Sequence, residues 1–189
     1  IIGVVKDELG QAIPNTTVMI GANTVMSDAN GIYIFNKIDC NQKATTVRFS
    51  KQGYFNGFKT LTVQANEKHI ANVSLMKKEN PQTLNAQSGG TVNFGNGIMI
   101  TFPANALVNK ITGAVYNGQA NVFIKKIDPT TELGQKTMPG NLTGLNTKSQ
   151  EMLLQSFGML AAEIEDNNGN LLQIATGKEA TISSEIPAS

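Results

Sequence analysis

Apolar and polar residues alternate with a period of two through most of the chain, which is the pattern of half-buried β-strands. In A-N-V-S-L, which starts at Ala71, every second residue is apolar. In M-L-A-A-E-I-E, Ile164 alternates with Glu163 and Glu165, which predicts one solvent-facing side. No stretch carries the helical period convincingly. Residues 147–156 come nearest and are interpreted as a connection, so the pattern predicts an all-β fold.

Short polar motifs separate the predicted strands. D-A-N-G at 28–31 and D-N-N-G-N at 166–170 supply Asn and Gly, which adopt positive φ at low cost in tight turns. Segment 77–83, K-K-E-N-P-Q-T, is polar, contains a proline and interrupts the alternation. We therefore predict two antiparallel β-sandwich domains, at 1–77 and 83–189. The final S-E-I-P-A-S is expected to be cut inside the second domain.

Composition narrows the class of protein. With 15 basic and 14 acidic side chains, the net charge of +1 gives no general attraction to nucleic acid. The single cysteine, Cys40, excludes an intrachain disulfide and a zinc site built on several cysteines. No apolar run approaches the roughly 20 residues of a transmembrane helix. Because the sequence starts at Ile without a leader, we expect an exported chain whose signal peptide has been removed.

Three segments in fixed order carry the most specific signal in the first 76 residues. They are I-I-G-V-V-K-D-E-L-G-Q-A-I-P-N-T-T-V-M-I from Ile1, S-D-A-N-G-I-Y-I-F from Ser27, and V-R-F-S-K-Q-G-Y from Val47. Their order of strands and turns resembles the carboxypeptidase regulatory-like domain, a small transthyretin-like (prealbumin-like) β-sandwich. The resemblance implies a non-catalytic module of the kind appended to bacterial surface proteins.

The second half opens on a hairpin followed by a proline-led loop. G-G-T-V-N-F-G-N-G-I-M-I-T-F-P-A-N-A-L, from Gly89, contains the I-x-I/F-P-x-x-A-L segment of ZU5-like β-sandwich domains. The block between Met138 and Ile182 is similar to the region after the regulatory-like module in some bacterial surface proteins, and in proteins resembling cartilage intermediate layer protein. The resemblance covers 89–182 and implies a second, ZU5-like β domain.

Groups able to act in catalysis are sparse. His69 is the only histidine, and the alternation places it at the inward edge of a strand start, which favours a partly buried structural residue. The regulatory-like resemblance implies no catalytic residues, and the chain has no H-x-x-E pair. We therefore predict no enzyme activity and no cofactor. Asp166, Asn168 and Asn170 are the candidates for a calcium site, but they lack the closing glutamate of a calcium loop, which favours a structural turn.

Aromatic residues form the other candidate site. Tyr54, Phe55 and Phe58 lie in Q-G-Y-F-N-G-F-K between strands, where exposed apolar rings can mark a recognition patch. The alternative is that the Gly-Tyr element packs the end of the sandwich, as the family resemblance implies. The sequence names no ligand for these residues. The partner we expect is a protein or a glycan at the cell surface.

Taken together, the sequence favours a non-enzymatic, exported cell-surface module of a bacterial envelope lipoprotein. Its place would be extracellular, at the cell surface or outer membrane, and its role would be binding and adhesion or that of a structural spacer. Loops at the sandwich ends would carry any recognition. The alternative is an accessory domain pair of a larger surface enzyme or outer-membrane transporter.

Overall fold

The computed structural model describes residues 1–95, 97–138, 143–148, 150–153 and 159–184. These residues form mainly β-strands joined by turns, which confirms the all-β fold class. The chain divides into two compact units, Ile1–Lys77 with Ile127–Met159, and Lys78–Lys126 with Leu160–Ser189. Within the described residues, no helix is both long and apolar enough to cross a membrane. The predicted domain limits stay predictions, and residues 185–189 lie outside the described part.

The first seven strands build two sheets of the first unit. They are β1 (Ile2–Asp7), β2 (Thr17–Ile20), β3 (Asn23–Met26), β4 (Ile32–Ile34), β5 (Thr45–Ser50), β6 (Gly57–Leu61) and β7 (Val73–Leu75). One sheet has the order β4-β1-β7 and the other has the order β3-β2-β5-β6. These strands pair antiparallel, except that β1 and β7 run parallel with Val5 opposite Val73.

The inward side chains of these two sheets share one core. Val5 and Tyr33 come from the first sheet, Val18 and Phe49 come from the second, and each is at most 1% exposed. The rings of Tyr33 and Phe49 meet edge to face with their centroids 5.5 Å apart. In β5 the buried positions alternate with Arg48, which is exposed, as the period-two pattern requires. This packing through alternate residues is that of a β-sandwich.

The remaining elements follow from residue 82. In chain order they are β8 (Gln82–Asn85), β9 (Gly90–Asn93), β10 (Met99–Phe102), β11 (Leu107–Asn109), β12 (Gln119–Ile127), α1 (Glu132–Thr137), β13 (Thr143–Leu145), β14 (Glu151–Leu153), β15 (Met159–Glu165), β16 (Leu171–Ile174) and β17 (Thr181–Ser183). In the second unit the sheet orders are β17-β10-β9 and β11-β16-β15-β12-β8. Ile100 and Phe102 of one sheet pack in the same cluster as Leu107 and Val122 of the other, which gives a second sandwich-like core.

Helix α1 was not predicted from the alternation. The Thr131 hydroxyl caps it by accepting the backbone N–H of Gly134 at 3.0 Å. A Cβ at Gly134 would lie 1.7 Å from the carbonyl oxygen of Asp128, so a side chain does not fit there. A helix of six residues is too short for a periodic signal and depends on its cap and its packing. Segment 147–156 also differs from the predicted connection, because part of it forms β14 and pairs with β13.

Candidate functional site

A groove of about 990 Å³ lies at one end of the first sandwich. Its walls are the loop after β4, residues 35–42, and the loop after β6, residues 63–69, with the start of β1 between them. The N–H of Val63 donates to the carbonyl of Gln42 at 2.8 Å and joins the two loops. The N–H of Ile2 donates to the His69 carbonyl at 2.9 Å, which ties the second loop to β1. Backbone hydrogen bonds therefore fix both walls.

Polar side chains outnumber apolar ones in the two loops that line this groove, while Ile1, Ile2 and Ile34 add apolar surface. Its charged side chains balance in number: Lys37, Lys68, Asp39 and Glu67. Four carboxamides line it as well: Asn36, Gln42, Gln64 and Asn66. A carboxamide both donates and accepts hydrogen bonds. The lining therefore suits an uncharged ligand rich in polar groups better than a strongly charged one.

Lys37 has an unusual backbone conformation for its residue type. Its φ is +50°, and it is the one described residue with positive φ that is neither Gly nor Asn. A side chain in this region costs roughly 1–3 kcal/mol and persists only where the surroundings hold it there, and such residues cluster at functional sites. Asn66, in the opposite loop, also has a positive φ, of +64°. The groove is thus lined by a lysine whose backbone conformation would be less strained for glycine.

The His69 side chain accepts a hydrogen bond from the backbone of the 63–69 loop. Its Nε2 accepts the N–H of Gln64 at 2.9 Å, which leaves the ring proton on Nδ1 when the imidazole is neutral. The ring is half-buried, and it lies directly before Ile70, which bridges to Ile2. This hydrogen bond closes the 64–69 loop and helps to shape one wall of the groove.

The three aromatic candidates do not share one exposed surface. Phe55 is 2% exposed, and its N–H donates to the carbonyl of Met76 at 2.8 Å. Tyr54 is partly buried against the first core, whereas Phe58 is 43% exposed on β6 opposite Arg48. The burial of Phe55 and Tyr54 matches the packing role that was the alternative for this segment. None of the three lines the groove.

Three turns of the form D-x-x-G-x share one hydrogen-bond pattern. In each turn the Asp Oδ1 accepts the N–H groups two and four residues later, at 2.8–2.9 Å, in turns that begin at Asp7, Asp28 and Asp166. The glycine in each has a φ between +74° and +80°. This is a type I turn closed by a glycine in the left-handed region, a common hairpin connection. The aspartate is therefore a structural part of each turn.

At Asp166 the second carboxylate oxygen is also engaged. The side-chain amide of Asn170 donates to Oδ2 at 2.8 Å. Burial acts to raise the pKa of Asp166, but hydrogen bonds from Asn170, Asn168 and Gly169 outweigh it and lower the pKa overall. A cation here would have to displace these donors. Among the described residues, no three His, Cys, Asp or Glu side chains form a group able to hold a metal ion.

A buried ionic cluster of the second unit was missed by the sequence analysis. The Lys78 ammonium lies 2.6 Å from Glu163 Oε2 and 2.5 Å from Glu165 Oε1, and its side chain is 3% exposed. The Phe123 ring centroid is 5.6 Å from Nζ. The prediction that Glu163 and Glu165 face solvent was wrong, since their side chains are 17% and 15% exposed. Burial along β15 does not alternate, since Ala162, on the same side as Ile164, is its exposed residue. Lys78, from the predicted linker, covers Glu163 and Glu165.

Comparisons with known proteins add no family to this description. No protein-family model matches the chain, and no curated protein matches it. The resemblances to the regulatory-like and ZU5-like domains therefore stay predictions.

Proposed function

We propose that this chain is a non-enzymatic, exported module of a bacterial cell-surface lipoprotein, which binds a surface protein or glycan through the groove of the first unit. The resemblance to the carboxypeptidase regulatory-like domain supports the class and the location. The groove supports binding, because loops at the end of a rigid sandwich are where recognition residues are usually placed. Its two walls are held by backbone hydrogen bonds, so little ordering is required when a ligand binds.

The backbone of Lys37 is the observation that carries this proposal. A glycine at this position would relieve the strain of a φ of +50°, yet the chain has a long cationic side chain there. Strain that the fold tolerates at one surface residue is expected where the side chain acts on a ligand. The carboxamides around it match the hydroxyl and amide groups of glycans and of peptide backbones.

Lys37→Gly tests the proposal in one variant. The substitution is expected to raise the melting temperature of the free chain, because it removes backbone strain. It should also reduce the thermal shift that a ligand produces. The ligands are soluble glycans and peptidoglycan fragments, measured by thermal unfolding. A ligand at about 100 times its dissociation constant should stabilise the wild-type chain by about 2.7 kcal/mol.

Asn15→Gly is the matched control, since Asn15 also has positive φ, at +53°, but does not line the groove. The control should keep the full ligand-induced shift. If Lys37→Gly kept it as well, the groove would not be the binding site. If no member of the panel shifted the wild-type chain, the groove would not be a site for these glycans, and the spacer role and the accessory-domain role would be favoured.

A further inference from the structure

The Lys78 cluster brings two carboxyl groups into contact with one amine, which is a nucleophile once it has lost a proton. Glu163 and Glu165 are two residues apart on β15, so their side chains leave the same face of the strand. Lys78 reaches both from the segment before β8, with its Nζ 2.6 Å and 2.5 Å from the two carboxylates. Such contacts hold the amine against the carboxyl group for as long as the unit stays folded, which is the condition that raises the rate of an intramolecular reaction.

The low exposure of the Lys78 side chain makes a simple ion pair costly at this site. Taking an ammonium and carboxylates out of water costs several kcal/mol per ion, and mutual attraction recovers this only with good geometry. Here the Lys78 side chain is 3% exposed, and the Phe123 ring lies near Nζ. A bond that converts one lysine and one carboxylate into a neutral amide would remove two of these charges. The exclusion of water would also protect the amide from hydrolysis.

We propose that Lys78 and Glu163 form an intramolecular isopeptide bond. Glu165 Oε1 accepts the hydrogen bond from Lys78 Nζ and so offers the route by which a proton leaves the ammonium. Glu165 takes this proton and passes it to a carboxyl oxygen of Glu163. The neutral amine attacks Cδ of Glu163 and the N–C bond forms. A second amine proton then moves to the same oxygen, the C–O bond breaks, and water leaves. An ammonium and a carboxylate give an amide and one water, so atoms and charge balance without any further reagent. Glu165 is regenerated as a carboxylate and is the general base. This inference does not depend on the proposed binding function.

Intact mass spectrometry of the denatured chain is the direct test. The expected mass is lower than that of the sequence by one water. Tandem spectra of a digest should then show a branched peptide that joins Lys78 to Glu163, with no tryptic cleavage after Lys78. A mass equal to that of the sequence would overturn the proposal, and so would loss of water at any other pair of residues, including Lys78 with Glu165.

Variants separate this reaction from a structural ion pair. Lys78→Arg keeps the positive charge but removes the nucleophile, so its mass should equal that of its sequence. Glu165→Gln keeps the size of the side chain but removes the base, and should leave most of the chain without the bond. Full bond formation in Glu165→Gln would overturn the role of Glu165. If either variant fails to fold, the wild-type mass and digest still decide the main proposal.

The chain supplies its own control in helix α1. Lys136 Nζ lies 2.6 Å from Glu132 Oε1, the same contact distance, but these side chains are 59% and 81% exposed. Water competes for both groups there, so no amide is expected between them. Lys136→Arg should therefore leave the mass difference of one water unchanged. A mass difference that disappeared with Lys136→Arg would place the bond in the helix and overturn the assignment to Lys78.

Discussion

Tyr33 combines ring packing with one specific polar contact. Its hydroxyl donates to the carbonyl of Ala71 at 2.6 Å, and the ring is 1% exposed. Gly3, its β1 partner, makes this contact possible, because a Cβ there would lie 2.2 Å from the Ala71 oxygen. Position 3 therefore requires glycine because the Ala71 carbonyl and the Tyr33 hydroxyl approach it closely, and not because of its φ.

Tyr33→Phe should lower the free energy of unfolding by about 1–2 kcal/mol, because it leaves a buried carbonyl without this donor. Burial raises the pKa of Tyr33 well above its usual range. The stability linked to this group is therefore present below the unfolded pKa of about 10 and is lost as the pH rises beyond it. Urea unfolding at pH 7 and above pH 10 should show a smaller alkaline loss in Tyr33→Phe than in the wild type. If the wild type and Tyr33→Phe lost equal stability above pH 10, the Tyr33 hydroxyl would not have this role.

The turns show which elements a sequence can reveal. The signal D-x-x-G was visible at Asp28 and Asp166 because Asp and Gly each have a local structural reason to occupy their positions. The same pattern at Asp7 lies in the segment that starts at Ile1, where the D-x-x-G signal was not singled out. Strands were predictable from alternation over a few residues. Helix α1 was not, because six residues are too few for a periodic signal. The parallel pairing of β1 with β7 was not, because it joins segments that are far apart in the chain.

Asp166→Ala should destabilise its turn by about 1 kcal/mol, because two backbone N–H groups lose their acceptor. Asp166→Asn should keep most of the stability at pH 7. Asn146 supports this, since its own side-chain oxygen accepts the N–H groups of Lys148 and Gln150 at 2.9–3.0 Å.

The pH dependence of stability separates Asp166→Asn from the wild type. The lowered pKa of Asp166 gives stability that is present above the unfolded pKa of about 4 and is lost as the pH falls through the folded pKa. Urea unfolding between pH 5 and pH 2 should therefore show a smaller acid loss in Asp166→Asn than in the wild type. Calcium should leave the unfolding midpoint unchanged. A calcium-dependent increase that Asp166→Asn abolished would show that the turn is a cation site.

The sequence predicted the fold class of the chain, but it predicted neither the groove nor the ionic cluster around Lys78. The groove is formed by two loops, 35–42 and 63–69, that are brought together through β1. The ionic cluster joins Lys78 to β15, more than eighty residues further along the chain. Local periodicity carries no information on such long-range contacts. In the sequence, Lys78 looked like part of a solvated linker. Glu163 and Glu165 looked like the solvent-facing side of a strand.

A ¹⁵N–¹H NMR titration of the wild-type chain tests whether the groove is the binding site. The ligand is the peptidoglycan fragment or glycan that gives the largest thermal shift. Amide shifts should change in 35–42 and 63–69, including Lys37, while those of the Asp166 turn stay constant. The same titration of Lys37→Gly should show weaker binding at the same residues. Saturable changes confined to residues outside these two loops would show that the groove is not the binding site.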